Sequence, residues 1–136
     1  MSTDEPNGGP RRYKVDPDPA WDGYDVEDGV LVVELSWMPD PLAGRPPELV
    51  AGPELVAAMS AEGFTGYVTG AARAHFGDGA FGVDDDTAAP ELVRLVVGEE
   101  PAADFSYERG QGLIVSERAL ALLQSHCQNL RANPLG

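Results

Sequence analysis

Gly112-Leu-Ile-Val-Ser-Glu-Arg-Ala-Leu-Ala-Leu-Leu123 is the stretch that decides the fold class. Leu113, Ile114 and Val115 form a short apolar run, the pattern of a buried strand. Ser116 follows with the chemistry of a helix N-cap, because its hydroxyl can accept from a backbone N–H one turn ahead. Glu117 in the first turn suits the positive end of the helix dipole. Ala119, Leu120, Leu122, Leu123 and Cys127 then fall on one broad helical face, with Gln124 and Gln128 outside it. A strand running straight into an amphipathic helix, in a chain without regular βαβ alternation, predicts an α+β fold. We expect a small mixed or antiparallel sheet with two main helices, one of them C-terminal.

Working outward, Val30 to Trp37 is the clearest strand, bounded by Gly29 and Pro39. Glu91 to Val97 is a second. Phe64 to Phe76 has no clean period and reads as a long twisted strand, and Tyr13 to Val15 as a short edge strand stopped by Asp16-Pro17-Asp18-Pro19. The other helix opens at Pro53 or Glu48 and ends before Gly63, with Leu49, Val50, Leu55, Val56 and Met59 as its apolar face. Gly52-Pro53 can split it into two pieces. Four segments read as loops: Asp16 to Asp28, pinned by Trp21 and Tyr24; Met38 to Pro47; Gly77 to Ala89; and Gly98 to Tyr107. Asn133-Pro134 ends the pattern. Met1 to Pro10 reads as a disordered tail, since it has too little apolar surface to offset its ordering entropy. Residues 11–136 then make one α+β domain, which is what 136 residues allow.

Composition narrows the function classes. Apolar residues make up 43% of the chain, enough for a packed core. Nine Lys and Arg face 23 Asp and Glu, for a net charge of -14. That balance argues against nucleic acid and against anionic membrane surfaces, both of which need surplus positive charge. It favours attraction to a basic protein. The single cysteine, Cys127, excludes an intrachain disulfide. The N-terminus lacks the apolar core of a signal peptide, and no apolar run approaches the ~20 residues of a membrane helix. A cytoplasmic location is the expectation.

Motifs for chemistry are weak. Gly77-Asp-Gly-Ala-Phe-Gly82 fits the dinucleotide pattern, but Asp84, Asp85 and Asp86 follow it and would repel phosphate. Those three aspartates lack the central Gly and distal Glu of a calcium loop. His75, His126 and Cys127 are too few and too scattered for zinc. Cys127 has no base placed to activate it and reads as a small buried hydrophobe. There is no Gly-x-Ser-x-Gly nucleophile elbow. With 23 acids, no carboxylate pair stands out for acid–base work. Neither a catalytic residue nor a cofactor or metal is expected.

The acids cluster in Asp16 to Asp28, Asp84 to Asp86 and Glu99 to Glu108. Gathered at one edge of a sheet, these stretches would make a single negative surface that steers a basic partner. Aromatics in or beside them would supply the desolvated anchors. The candidate partner-binding residues are Trp21, Asp22, Tyr24, Asp25, Phe81, Asp84, Asp85, Asp86 and Tyr107.

The stretch from Asp104-Phe105 through Gly112-Leu-Ile-Val-Ser-Glu-Arg-Ala-Leu-Ala-Leu-Leu123 resembles the immunity proteins of bacterial polymorphic toxin systems. It is most similar to the group numbered eleven, in which a short strand runs into a Val-Ser-Glu-Arg-Ala-Leu helix. Gly63-Phe-Thr-Gly-Tyr67 and Pro90-Glu-Leu-Val-Arg-Leu-Val-Val-Gly98 resemble that family's preceding elements, so the likeness covers roughly the last 75 residues. It implies a non-enzymatic protector that binds a cognate basic toxin, with Ser116, Glu117 and Arg118 as a cap, a first-turn acid and a surface base. Three alternatives stand beside it: a structural or accessory component of a secretion or phage-tail-like system, which would share the acidic profile; an enzyme using a scattered carboxylate pair; and an acidic nucleic-acid mimic.

Overall fold

In the computed structural model the strand-to-helix step forms as its sequence dictates. The structure describes residues 11–84 and 86–135, apart from the side chain of Asp22. The tail expected over Met1 to Pro10 lies outside them. Strand β9 (Gly112–Ser116) leads into α2 (Glu117–His126), and Ser116 Oγ accepts from the Ala119 amide at 3.2 Å. β9 belongs to a four-stranded antiparallel sheet in the order β10 (Arg131–Pro134), β1 (Arg12–Asp16), β9, β8 (Phe105–Glu108). The sequence placed residues 105–107 in an acidic loop and ended the pattern at Asn133-Pro134. Both segments are edge strands instead. Phe105 and Ser106 are buried, and burial of one aromatic outweighs the polar composition around it.

The second sheet has six strands in the order β2 (Trp21–Glu27), β3 (Val30–Trp37), β6 (Tyr67–Phe81), β7 (Val93–Val97), β5 (Glu48–Ala51), β4 (Leu42–Arg45). Only β3 and β6 run parallel. The fold is α+β, mostly sheet, with α1 (Pro53–Ala61) and α2 as its helices.

Three expected loops yield to this sheet. Residues 21–27 form β2, tied to β3 through Asp28 and Gly29, both at positive φ (53° and 81°). That is the two-residue turn whose twist matches a hairpin. β4 occupies part of the expected loop from Met38 to Pro47, and β6 continues to Phe81 because it keeps pairing with β3 as far as Trp37. The first helix is shorter than its apolar pattern suggested. Gly52-Pro53 splits the segment: Pro53 opens α1, and Glu48 to Ala51 is strand.

β5 shows why the apolar run misled. Leu49 and Ala51 face one core; Val50 between them faces another. A strand buried on both sides reads as a continuous apolar run, as a buried helix does. The first core holds Leu55 and Met59 of α1, Leu120 and Leu123 of α2, and Val15, Phe105 and Val115 of the smaller sheet. The second holds Trp21, Leu31, Val33 and Leu35 against Ala43, Val50 and Leu92. The six-stranded sheet curls around this second core, and its ends approach each other. Asp18, just before β2, bridges Ala43 of β4, and the Gly44 amide donates to the Asp18 carbonyl at 2.7 Å. Gly44 sits at φ 123°, and a Cβ there would fall 2.5 Å from Trp21 Cη2. The missing side chain is what lets the indole close the seam.

Candidate partner-binding surface

Among the described residues β2 pairs only with β3, so it is an edge of the six-stranded sheet. The register sorts its side chains. Tyr24 lies opposite Val33 and Val26 opposite Leu31. Cross-strand partners share a face, so both belong to the side that covers the second core. They overhang it: Tyr24 is 53% exposed and Val26 46%. Asp25 lies opposite Val32, and Glu27 opposite Val30, on the outer side, and both acids are exposed. On that outer side Glu34 of β3 pairs in register with His75 of β6. The Val26 amide donates to Asp25 Oδ1 at 2.8 Å. An amide held by an exposed carboxylate points out of the ladder, toward the open edge.

The other expected site residues are spread. Trp21 is a correction: it is only 3% exposed, packed in the second core, and is not a surface anchor. Asp22 lies in β2 beside it, its side chain outside the described part. Phe81 is 82% exposed at the far end of β6. Beyond it Asp84 and Asp86 are exposed in a turn in which Asp84 Oδ1 accepts from the Asp86 amide and the Thr87 hydroxyl. Asp85 lies outside the described residues. Tyr107 is half-buried on β8, lining a pocket of about 280 Å³ with Arg12, Glu99, Glu108 and Arg109.

The acidic stretches therefore do not gather at one edge. The Tyr107 amide donates to the Gly98 carbonyl, which follows Val97, the register partner of Tyr67. Glu99 to Glu108 thus sits by the start of β6, while Asp84 to Asp86 follows its end. Fifteen residues of strand separate them, up to roughly 45 Å of extended chain. Of the expected residues, Asp84 and Asp86 share one turn, and Tyr24 and Asp25 are exposed neighbours on opposite faces of β2.

No family model, curated protein or solved structure matches this chain. Among the described residues, no group of three or more His, Cys, Asp or Glu side chains could hold a metal ion. No helix among them is long and apolar enough to cross a membrane. The Gly77 to Gly82 motif is the end of β6 followed by a turn, without the helix N-terminus a pyrophosphate would need.

Two carboxylates the sequence did not single out are buried, and both have structural duties. Asp18 accepts from the Ala20 amide (3.2 Å), Trp37 Nε1 (2.9 Å) and the Asp40 amide (3.0 Å). It lines a cleft of about 800 Å³ between residues 16–19 and 128–131. Asp104 takes a two-pronged bond from Arg118, Nε to Oδ1 at 3.0 Å and Nη2 to Oδ2 at 2.9 Å. Ser116 Oγ donates to it at 2.7 Å and the Thr65 amide at 3.0 Å. The Arg118 guanidinium, with the Ser116 hydroxyl and the Thr65 amide behind it, holds the Asp104 carboxyl well below the usual range against the opposing effect of burial. Arg118 also lies 4.9 Å from the centroid of the Phe64 ring. The surface base expected at Arg118 is more than half exposed, and it also clamps α2 to the residue just before β8. Its Asp104 partner carried no periodic signal in an acidic segment.

Cys127 caps the C-terminus of α2, its amide bonded to the Leu123 carbonyl. Burial, and behind it the negative charges of Asp40 and Asp18, pushes its thiol up to about 11. The thiolate is the reactive form, and it is depleted about a hundredfold relative to an ordinary cysteine at pH 8. Iodoacetamide should label the native protein about two orders of magnitude more slowly than the urea-unfolded chain. Equal rates would show a thiol open to solvent.

Proposed function

We propose that this chain is a non-catalytic protein-binding protein, an immunity protein that neutralises a cognate toxin in the cytoplasm by covering a basic surface on it. One observation carries this reading. β2 is an edge strand on which two exposed apolar side chains, Tyr24 and Val26, alternate with two exposed acids, Asp25 and Glu27. The apolar side chains on one side of the edge supply affinity, and the acids on the other side supply orientation and rate. The net charge of -14 extends the same field over the molecule. Asp18 and Asp104 each accept from three or more donors of the fold, which leaves them as scaffold carboxylates.

Co-expression with each neighbouring toxin gene tests it. The expected result is growth rescue with one of them, co-purification of the pair, and an association rate that falls steeply with added salt. Failure to rescue growth or to bind any of those toxins would remove the reading.

A further inference from the structure

We propose that the open edge of β2 accepts one more strand: an extended segment of a partner protein with Lys or Arg at alternate positions and β-branched or aromatic residues between them. This rests on the protein-binding reading above and names how the partner is held. An edge strand presents unpaired amides and carbonyls, a template for strand addition. Here the other terminal strands are closed off. β4 is bridged by Asp18. β10 carries Pro134, which lacks a donor. On β8 the Tyr107 amide is already bonded to Gly98. β2 has seven residues, and its Val26 amide is held by its neighbour's carboxylate. Outward amides alternate along a strand, so Tyr24 turns the same way as Val26.

The two faces of β2 set the chemistry of the guest. An added strand places every second side chain beside Asp25 and Glu27, and the rest beside Tyr24 and Val26. The first set is best basic and the second apolar. A second copy of β2 fits poorly, because Asp25 and Glu27 would meet their own kind, and like charges opposite each other are destabilising. Asp25 also acts as a switch. On docking, its carboxylate moves from the Val26 amide to an incoming ammonium or guanidinium, and the freed amide donates to a carbonyl of the guest. Until then the same carboxylate blunts the edge against unselective pairing.

The probe is a fluorescent peptide, acetyl-Lys-Val-Lys-Thr-Lys-Val-Lys-amide, beside a control of identical composition with its lysines in one block. The alternating peptide should bind more tightly, and it should slow hydrogen exchange at the Tyr24 and Val26 amides. Val26→Pro deletes the outward donor without touching the β2–β3 ladder, and should weaken binding about tenfold, the worth of one net hydrogen bond. It should also reduce co-purification of the rescued toxin. Equal binding of the two peptides, or unchanged exchange at Tyr24 and Val26 in the wild-type protein, overturns strand addition whether or not the proline variant folds. Toxin capture undiminished in a folded Val26→Pro protein overturns it too, while leaving the immunity reading in place. Failure of the wild-type protein to rescue growth removes that reading, and the peptide measurements still decide the edge.

Discussion

Asp104→Ala should lower the unfolding free energy by about 3 kcal/mol at neutral pH, within what two stranded buried donors cost. The reason lies in who is left behind. Arg118 is more than half exposed and can turn to water, so its loss is the smaller part. The Ser116 hydroxyl and the Thr65 amide lose their acceptor at a site where Asp104 is only 8% exposed, and each stranded donor costs about 1–3 kcal/mol. Urea unfolding followed by circular dichroism measures the difference. The acid limb carries a second signature. The Asp104 carboxyl titrates lower in the folded chain than in the unfolded one. Its contribution is therefore complete above about pH 4, the ordinary carboxylate range, and drains away as the pH falls toward the folded value. The wild-type protein should lose stability steeply below about pH 4, and Asp104→Ala should lose less over the same interval. Parallel pH curves would show that Asp104 titrates alike in both states.

Trp21→Ala should cost about 4 kcal/mol, the usual penalty for truncating a buried aromatic, and lower Tm by roughly 10–20 °C in a chain of this size. A surface anchor would behave in the opposite way, leaving Tm alone and weakening the partner. Trp21 packs with Leu31, Leu35, Ala43 and Val50 and lies over Gly44, where the curled sheet closes. Its removal opens a cavity at the seam. Thermal unfolding of the variant, alongside partner affinity of its folded fraction at low temperature, separates the two roles. An unshifted Tm would remove Trp21 from the core.

The features legible in the sequence were local ones. Ser116 caps its helix because a hydroxyl at that position needs only the next turn of backbone. Val30 to Trp37 is strand, and Gly52-Pro53 separates strand from helix, for reasons contained within a few residues. What escaped depends on the far side of the fold. Leu49 to Ala51 carried the apolar run of a helix because β5 is covered on both faces by segments distant in sequence. β2 hid behind its acids, although Asp28-Gly29 ahead of Val30 was a hairpin signal in plain view. Phe105 makes a strand of an acidic segment only because Phe64 and Tyr67 pack against it. Of the site, Tyr24 and Asp25 were legible as an aromatic beside an acid. The pairing of Asp104 with Arg118 was not, since burial of a carboxylate is decided by what folds over it.

The wall formed by β4, β5 and β7 belongs to neither core alone. Leu42, Leu49 and Leu95 brace the helical side, while Ala43 and Val50 brace the indole side. Neither half can melt and leave its neighbour intact, since losing one strips the lining from the other. Heat or denaturant should therefore meet a single cooperative unit. A proteolytic cut that frees either half would yield no stable fragment. A guest held on β2 would add to the stability of helices it never touches.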